Sequence, residues 1–193
     1  MPEAITNTIV VLIGFAGTGK YTIGRELADR MGAKLIHNHL INNSLFTAIN
    51  ADGVTPLPPG IWSKITKIRH VVYEVIRELS PPDLNFIFTV QLVESDPLDA
   101  QAFADLVELA AARKSLLVPI RLVCDVDELC RRVVNPSRVP MLKQISAEST
   151  RQTVATKALL NPQHQNLKTI DVTNMSAGES ATAIFQAIRA IRQ

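Results

Sequence analysis

Between Gly14 and Tyr21 the chain reads GFAGTGKY. Gly14, Gly19 and Lys20 fit the spacing G-x-x-x-x-G-K-[ST], a loop whose backbone amides curl around phosphate oxygens. Gly14, Ala16, Gly17, Thr18 and Gly19 would supply that cradle, and Lys20 a full positive charge for the terminal phosphates. The last position departs from the pattern. It calls for a short hydroxyl that holds magnesium, and this chain has Tyr21. A tyrosine oxygen stands a whole ring beyond the place of a serine oxygen, so metal ligation at this position is left open. Thr22 follows one helical position round. It can reach a phosphate but cannot simply replace the missing ligand.

Other residue types that do chemistry lie further along. His37-Asn38-His39, followed by Asn42 and Asn43, closes a predicted strand. An imidazole there can act as a general base near neutral pH or donate a hydrogen bond. On an extended segment His37 and His39 would point the same way. Gln91 and Glu94 follow the third predicted strand and are candidates to orient or deprotonate an acceptor. Arg69 sits on a predicted helix, where a solvated surface role competes with holding an acceptor's anionic group. A basic stretch, Asp127 to Ser146, carries Arg131 and Arg132 on a helix and Arg138 and Lys143 beyond it. Alone it reads as a solvated basic helix and loop.

The elements that must position these groups alternate. Thr8 to Ile13 is a β-branched apolar run, as in a strand covered on both faces. Ile23, Leu27 and Met31 recur every four residues and make a helix face that Gly32 stops. Strands are predicted at Ala33 to His37, Asn85 to Val90, Leu116 to Val123 and Leu167 to Val172. Helices are predicted from about Leu40 to Ile49, through the stripe Ile61 to Leu79, from Asp96-Pro97 to about Arg113, from Asp125 through Val133, from Ser146 to Leu160, and after Ser176. A polar segment from Asn135 to Gln144 interrupts them. Five short strands separated by helices imply a parallel sheet in one three-layer α/β domain over residues 1–193. Ligands in such sheets bind at the carboxyl ends of the strands.

Composition narrows the classes. Of the 193 residues, 47% are hydrophobic and 20% charged, which suits a folded chain with a sizeable core. A net charge of +2 is too small to point to nucleic acid. No apolar run spans a bilayer and no basic leader precedes the first strand, so a cytoplasmic protein is expected. Cys124 and Cys130 lack a second ligand pair and are expected as buried free thiols.

On the loop at Gly14 to Thr22 and the segment Asp127 to Ser146, the chain resembles the small P-loop kinases of the nucleoside monophosphate, shikimate and gluconate kinase class. The order of elements matches over the whole length. The resemblance implies a P-loop NTPase fold with a small lid segment at about residues 135–146. It implies an ATP-dependent kinase that uses Mg2+ and passes the terminal phosphoryl group to a small-molecule acceptor. Arg138-Val139-Pro140-Met141-Leu142 resembles the arginine-proline-leucine stretch of the shikimate kinase lid, which implies catalytic roles for Lys20, Arg132 and Arg138. Asn174, after the fifth strand, would border the adenine. His37, His39, Arg69, Gln91 and Glu94 would face the acceptor. The chain departs from the class where shikimate kinases carry aspartates after strand two, and where a carboxylate usually follows strand three. Those departures, with Tyr21, support an alternative: a nucleotide-binding protein without transfer activity and with a degenerate metal site.

Overall fold

The computed structural model describes residues 5–193. One sheet holds β1 (Thr8–Ile13), β2 (Lys34–His37), β3 (Phe86–Val90), β4 (Leu116–Val123) and β5 (Lys168–Asp171), in the order β2-β3-β1-β4-β5. Every pairing is parallel, so the chain crosses back through helices. The helices are α1 (Lys20–Met31), α2 (Asn38–Ala48), α3 (Ile61–Glu78), α4 (Pro97–Arg113), α5 (Val126–Val133), α6 (Ala147–Thr156) and α7 (Ala177–Arg192).

The apolar run of β1 is buried throughout because the strand is central and covered on both faces. Its pleat divides the core. Val10 and Leu12 pack with Ile23 and Leu27 of α1 and Ile184 and Ile188 of α7. Ile9, Val11 and Ile13 pack with Tyr73 and Ile76 of α3 and Leu106 and Leu109 of α4. The result is the expected three layers. A third cluster joins Ile41 and Phe46 of α2 to Ile61 and Ile65 of α3, and Leu142 packs against it. The strand order reverses beside β1, and the loop at residues 14–19 leaves the carboxyl end of that strand at the switch point.

Three local expectations are corrected. The second helix begins at Asn38, not near Leu40, because the His37 imidazole serves as its N-cap and accepts the Leu40 amide through Nδ1 at 3.2 Å. His39 is therefore helical, and the strand alternation proposed for the two histidines does not apply. The helix expected to reach Leu160 ends at Thr156. Beyond it the chain runs extended: Leu159 buries itself, and Leu160 and Ala158 exchange backbone hydrogen bonds with Leu92 and Glu94. The polar stretch after α5 contains a 3-10 helix, Pro136–Met141, capped by the Asn135 side chain.

The Ser176–Glu179 capping box closes in both directions. The Asp125–Glu128 one is half made: Asp125 accepts two amides, while the Glu128 carboxylate turns to Arg131 and Arg132. Cys130 is buried and Cys124 half-buried, both free, so only the first matches the expected burial. No helix of the described residues is long and apolar enough to cross a membrane.

Candidate functional site

The loop after β1 has the strand and helix its pattern requires. Gly17 adopts φ +87°, and a Cβ there would meet the Leu129 carbonyl oxygen at 2.7 Å, so glycine is required by conformation and by space. The amides of Gly17, Gly19, Lys20, Tyr21 and Thr22 have no hydrogen-bond partner among the described residues. These are the orphan donors of a helix start, where the helix dipole also favours an anion. The Thr18 hydroxyl bonds Phe15 O at 2.6 Å and braces the curl from inside. Thr22 bonds Gly19 O at 2.9 Å, so its hydroxyl is already engaged.

Lys20 folds back on the loop. Its Nζ donates to Gly14 O at 2.6 Å and Phe15 O at 2.8 Å. Burial first, then the charges of Arg138 and Lys143, lower its pKa to about 7. Those two cations come from the segment after α5, which lies down over the loop. Arg138 uses Nε to bond Gln144 O at 3.0 Å and leaves both terminal nitrogens without a partner among the described residues. Asn43 of α2 donates to Met141 O at 3.2 Å. A Cβ on Gly53 would meet Lys143 O at 2.5 Å. With Leu142 set against it, the lid-like segment is anchored on the α2–α3 core.

The odd tyrosine has a place in this arrangement. The Lys143 ammonium lies 4.6 Å from the centroid of the Tyr21 ring, and the His37 ring meets the same ring edge-on at 4.8 Å. His39 bonds Asn43 Oδ1 through Nδ1 at 3.1 Å. Because Asn43 gives its amide hydrogens to Met141 O, its oxygen faces His39, and Nδ1 of His39 carries the proton. Its Nε2 is then an open acceptor. Burial lowers His39 to about 4; the Asn43 bond opposes this, and Lys143, His37 and Arg138 add to it. Burial and Lys143 also lower His37. The neighbouring charges acting on Lys20, His37 and His39 are thus all cationic. The site is strongly electropositive, and a bound anion would relieve it.

The other candidates fall into separate places. Gln91 supports the loop: its Oε1 takes the Ala16 amide at 3.0 Å. Arg69 makes no hydrogen bond among the described residues, and its charge acts on Asp99 and Tyr73. Burial raises Asp99; the Val93 amide at 2.8 Å and Arg69 oppose that. Glu94 is exposed, with no side-chain hydrogen bond among the described residues. Arg69 is thus coupled to the start of α4, in the segment after β3. Arg132 is not a free lid cation. Its guanidinium is held by Glu128 at 2.6 Å and by the carbonyls of Val172 and Thr173. It forms one wall of a cavity of about 250 Å³, with Thr18, Gly19, Thr22, Ile23, Met175 and Ala177. Asn174 is exposed and does not line this cavity; its neighbour Met175 does. Sequence reasoning named Asn43 and Lys143 without assigning either a site role, and it missed Met175. Lys143 carried a signal as a cation in the lid-like segment, and Asn43 as part of the polar corner after the second strand.

The donor set does not suit direct metal ligation. Position 21 offers an aromatic face already occupied by an ammonium. No group of three His, Cys, Asp or Glu among the described residues could hold a metal ion.

No protein-family model and no curated protein matches the chain. Solved structures do. A gluconokinase from Sinorhizobium meliloti 1021 is similar at TM-score 0.62 and 13% identity, over 98% of this chain and 95% of its own. A thymidylate kinase from Candida albicans is similar at TM-score 0.59 and 12% identity, over 97% and 93%. A shikimate kinase from Acinetobacter baumannii in complex with shikimate is similar at TM-score 0.50 and 19% identity, over 97% and 96%. At such identities the likeness shows the fold: this chain has the three-layer architecture of the small P-loop kinases.

Proposed function

We propose that the protein is an ATP-dependent phosphotransferase that moves the terminal phosphoryl group to a hydroxyl of a small molecule. The observation that carries this reading is the convergence of Lys20, Arg138 and Lys143 over five unpartnered loop amides, with no carboxylate among the groups that perturb Lys20. A bound triphosphate supplies the missing negative charge. Its base moiety would enter the cavity of about 250 Å³ walled by Arg132 and Met175. The fold shared with the kinases above supports the same reading.

In this scheme an acceptor hydroxyl sits at the α2 corner. Nε2 of His39 takes its proton as the oxygen bonds to the terminal phosphorus and the bond to the bridging oxygen breaks. ADP leaves, and His39 later returns the proton to solvent. Phosphoryl transfer demands little of its base, because the transition state is loose and its charge lies mainly on the equatorial oxygens. A weakly basic imidazole is therefore sufficient, and its pKa of about 4 keeps it neutral at physiological pH. Those equatorial oxygens fall to Arg138 and the loop amides. A metal accompanying the nucleotide would be held by phosphate oxygens and water, since position 21 offers no suitable ligand.

A screen for ADP release with sugar, alcohol and nucleotide acceptors tests the reading; an acceptor that stimulates release supports it. His39→Gln should lower that stimulated rate about a hundredfold, within the usual range for a lost general base, while leaving ATP affinity within about twofold. An unchanged rate in this variant would remove His39 from the reaction. The second reading, nucleotide binding without transfer, draws on Tyr21 and on the absence of acids beside His37 and His39. It is distinguished by ATP binding with no stimulated release for any acceptor.

A further inference from the structure

The Tyr21 ring meets His37 of the acceptor corner and Lys143 of the lid-like segment. The ring carries the Lys143 ammonium on one side and meets His37 edge-on. The lysine has no hydrogen bond and no ion pair among the described residues, so the ring is its named contact. An aromatic face stabilises an ammonium while leaving its hydrogens free to donate, unlike a carboxylate, which would neutralise it. The backbone of Lys143 is fixed as well, by the tight approach of Gly53. Leu142, with φ 51°, places the turn that delivers it. Tyr21 directly follows Lys20, whose ammonium feels the Lys143 charge.

We propose that Tyr21 and Lys143 act as one unit: the ring at the metal-ligand position of the loop seats a lid ammonium against the bound phosphates, so that Lys143 contacts the terminal phosphates directly. The loop thereby substitutes a fixed protein cation for part of the charge that a short hydroxyl would recruit as a metal ion. This rests on the phosphate-binding reading of the loop but not on transfer. Two consequences are specific. Triphosphate binding without divalent metal depends on Lys143. The effect of position 21 is carried by its ring and not by its hydroxyl.

Calorimetric titration of ATP in the presence of a metal chelator, and again with excess magnesium, tests both on the full chain. Lys143→Met should weaken metal-free ATP binding at least about tenfold, the loss of one charge-assisted contact. Tyr21→Phe should bind as the parent does, and Tyr21→Leu should reproduce most of the Lys143→Met loss. The double variant Tyr21→Leu/Lys143→Met should add little to either single change. Thermal unfolding of each variant checks folding, and Tyr21→Phe keeps the ring test valid if the leucine variant does not fold. Parental metal-free affinity in Lys143→Met, losses that simply add, or a Tyr21→Phe variant as weak as Lys143→Met would each overturn the proposal. Because the readout is binding, a protein that shows the coupling but phosphorylates no acceptor contradicts the transferase reading alone.

Discussion

Lys20→Ala should abolish phosphoryl transfer and weaken triphosphate binding by roughly ten- to a hundredfold, as expected for one charge-assisted contact in a partly enclosed site. The ammonium is spent on Gly14 O and Phe15 O, its own loop. Phosphate oxygens offer it a better partner, and the orphan amides gain acceptors in the same event. The lysine also gives binding a pH signature. Burial, Arg138 and Lys143 lower its pKa to about 7, so at higher pH the free site holds it mostly neutral. A bound polyanion favours the charged form and raises the pKa, so binding takes up a proton. A complex that holds more protons than its parts weakens as pH rises. Parental affinity should therefore fall between about pH 7.5 and 9, by up to about tenfold per unit, where the triphosphate itself no longer titrates. Lys20→Ala should lose that slope. Titrations in two buffers of different ionisation enthalpy check it, and a pH-independent parental affinity with no proton uptake would refute the role given to Lys20.

Arg138→Ala should lower turnover about a hundredfold or more while changing ATP affinity far less. Its two terminal nitrogens have no partner among the described residues, although Nε is tied to Gln144 O. Such a guanidinium is oriented in advance and free to donate. Charge on the equatorial oxygens is redistributed in the transition state, so the contact strengthens there more than in the ground state. Removing one preorganised donor of this kind raises the barrier by about 2–4 kcal/mol. Steady-state kinetics separate the two effects: kcat should carry most of the loss. A kcat within about twofold of the parent would take Arg138 out of the transfer step. The segment that carries Arg138 is anchored by Asn43 and Leu142 on α2 and the α2–α3 core.

The fold was readable because its signals are local and repeated. The run Thr8 to Ile13 has no face to leave polar, and Ile23, Leu27 and Met31 share one helix stripe, so strand, turn and helix around the loop follow directly. The phosphate loop was legible for the same reason: its function lies in backbone curl and one lysine. Side chains whose roles depend on distant partners were not. His37 looked like half of an alternating pair, and only its hydrogen bond to Leu40 N makes it a cap that turns His39 into a helical residue. Gln91 lies 75 residues from Ala16, and nothing local joins them. Arg132 read as a lid cation until the carbonyls of Val172 and Thr173 were brought beside it. Tyr21 was visible only as a missing hydroxyl. Its positive role needs Lys143, which the chain supplies after three more strands and four more α-helices have been laid down.

The most direct test of phosphoryl transfer is to follow the label from ATP carrying an isotope in its terminal phosphoryl group. The parent protein is incubated with stoichiometric labelled ATP and the acceptor pool that stimulates ADP release, and the products are separated. The transferase mechanism predicts that the label appears in an organic phosphate ester, with one ADP formed per ester, and that Lys20→Ala yields neither. Tight ATP binding by the parent, with the label remaining on ATP in the presence of every acceptor, would contradict it.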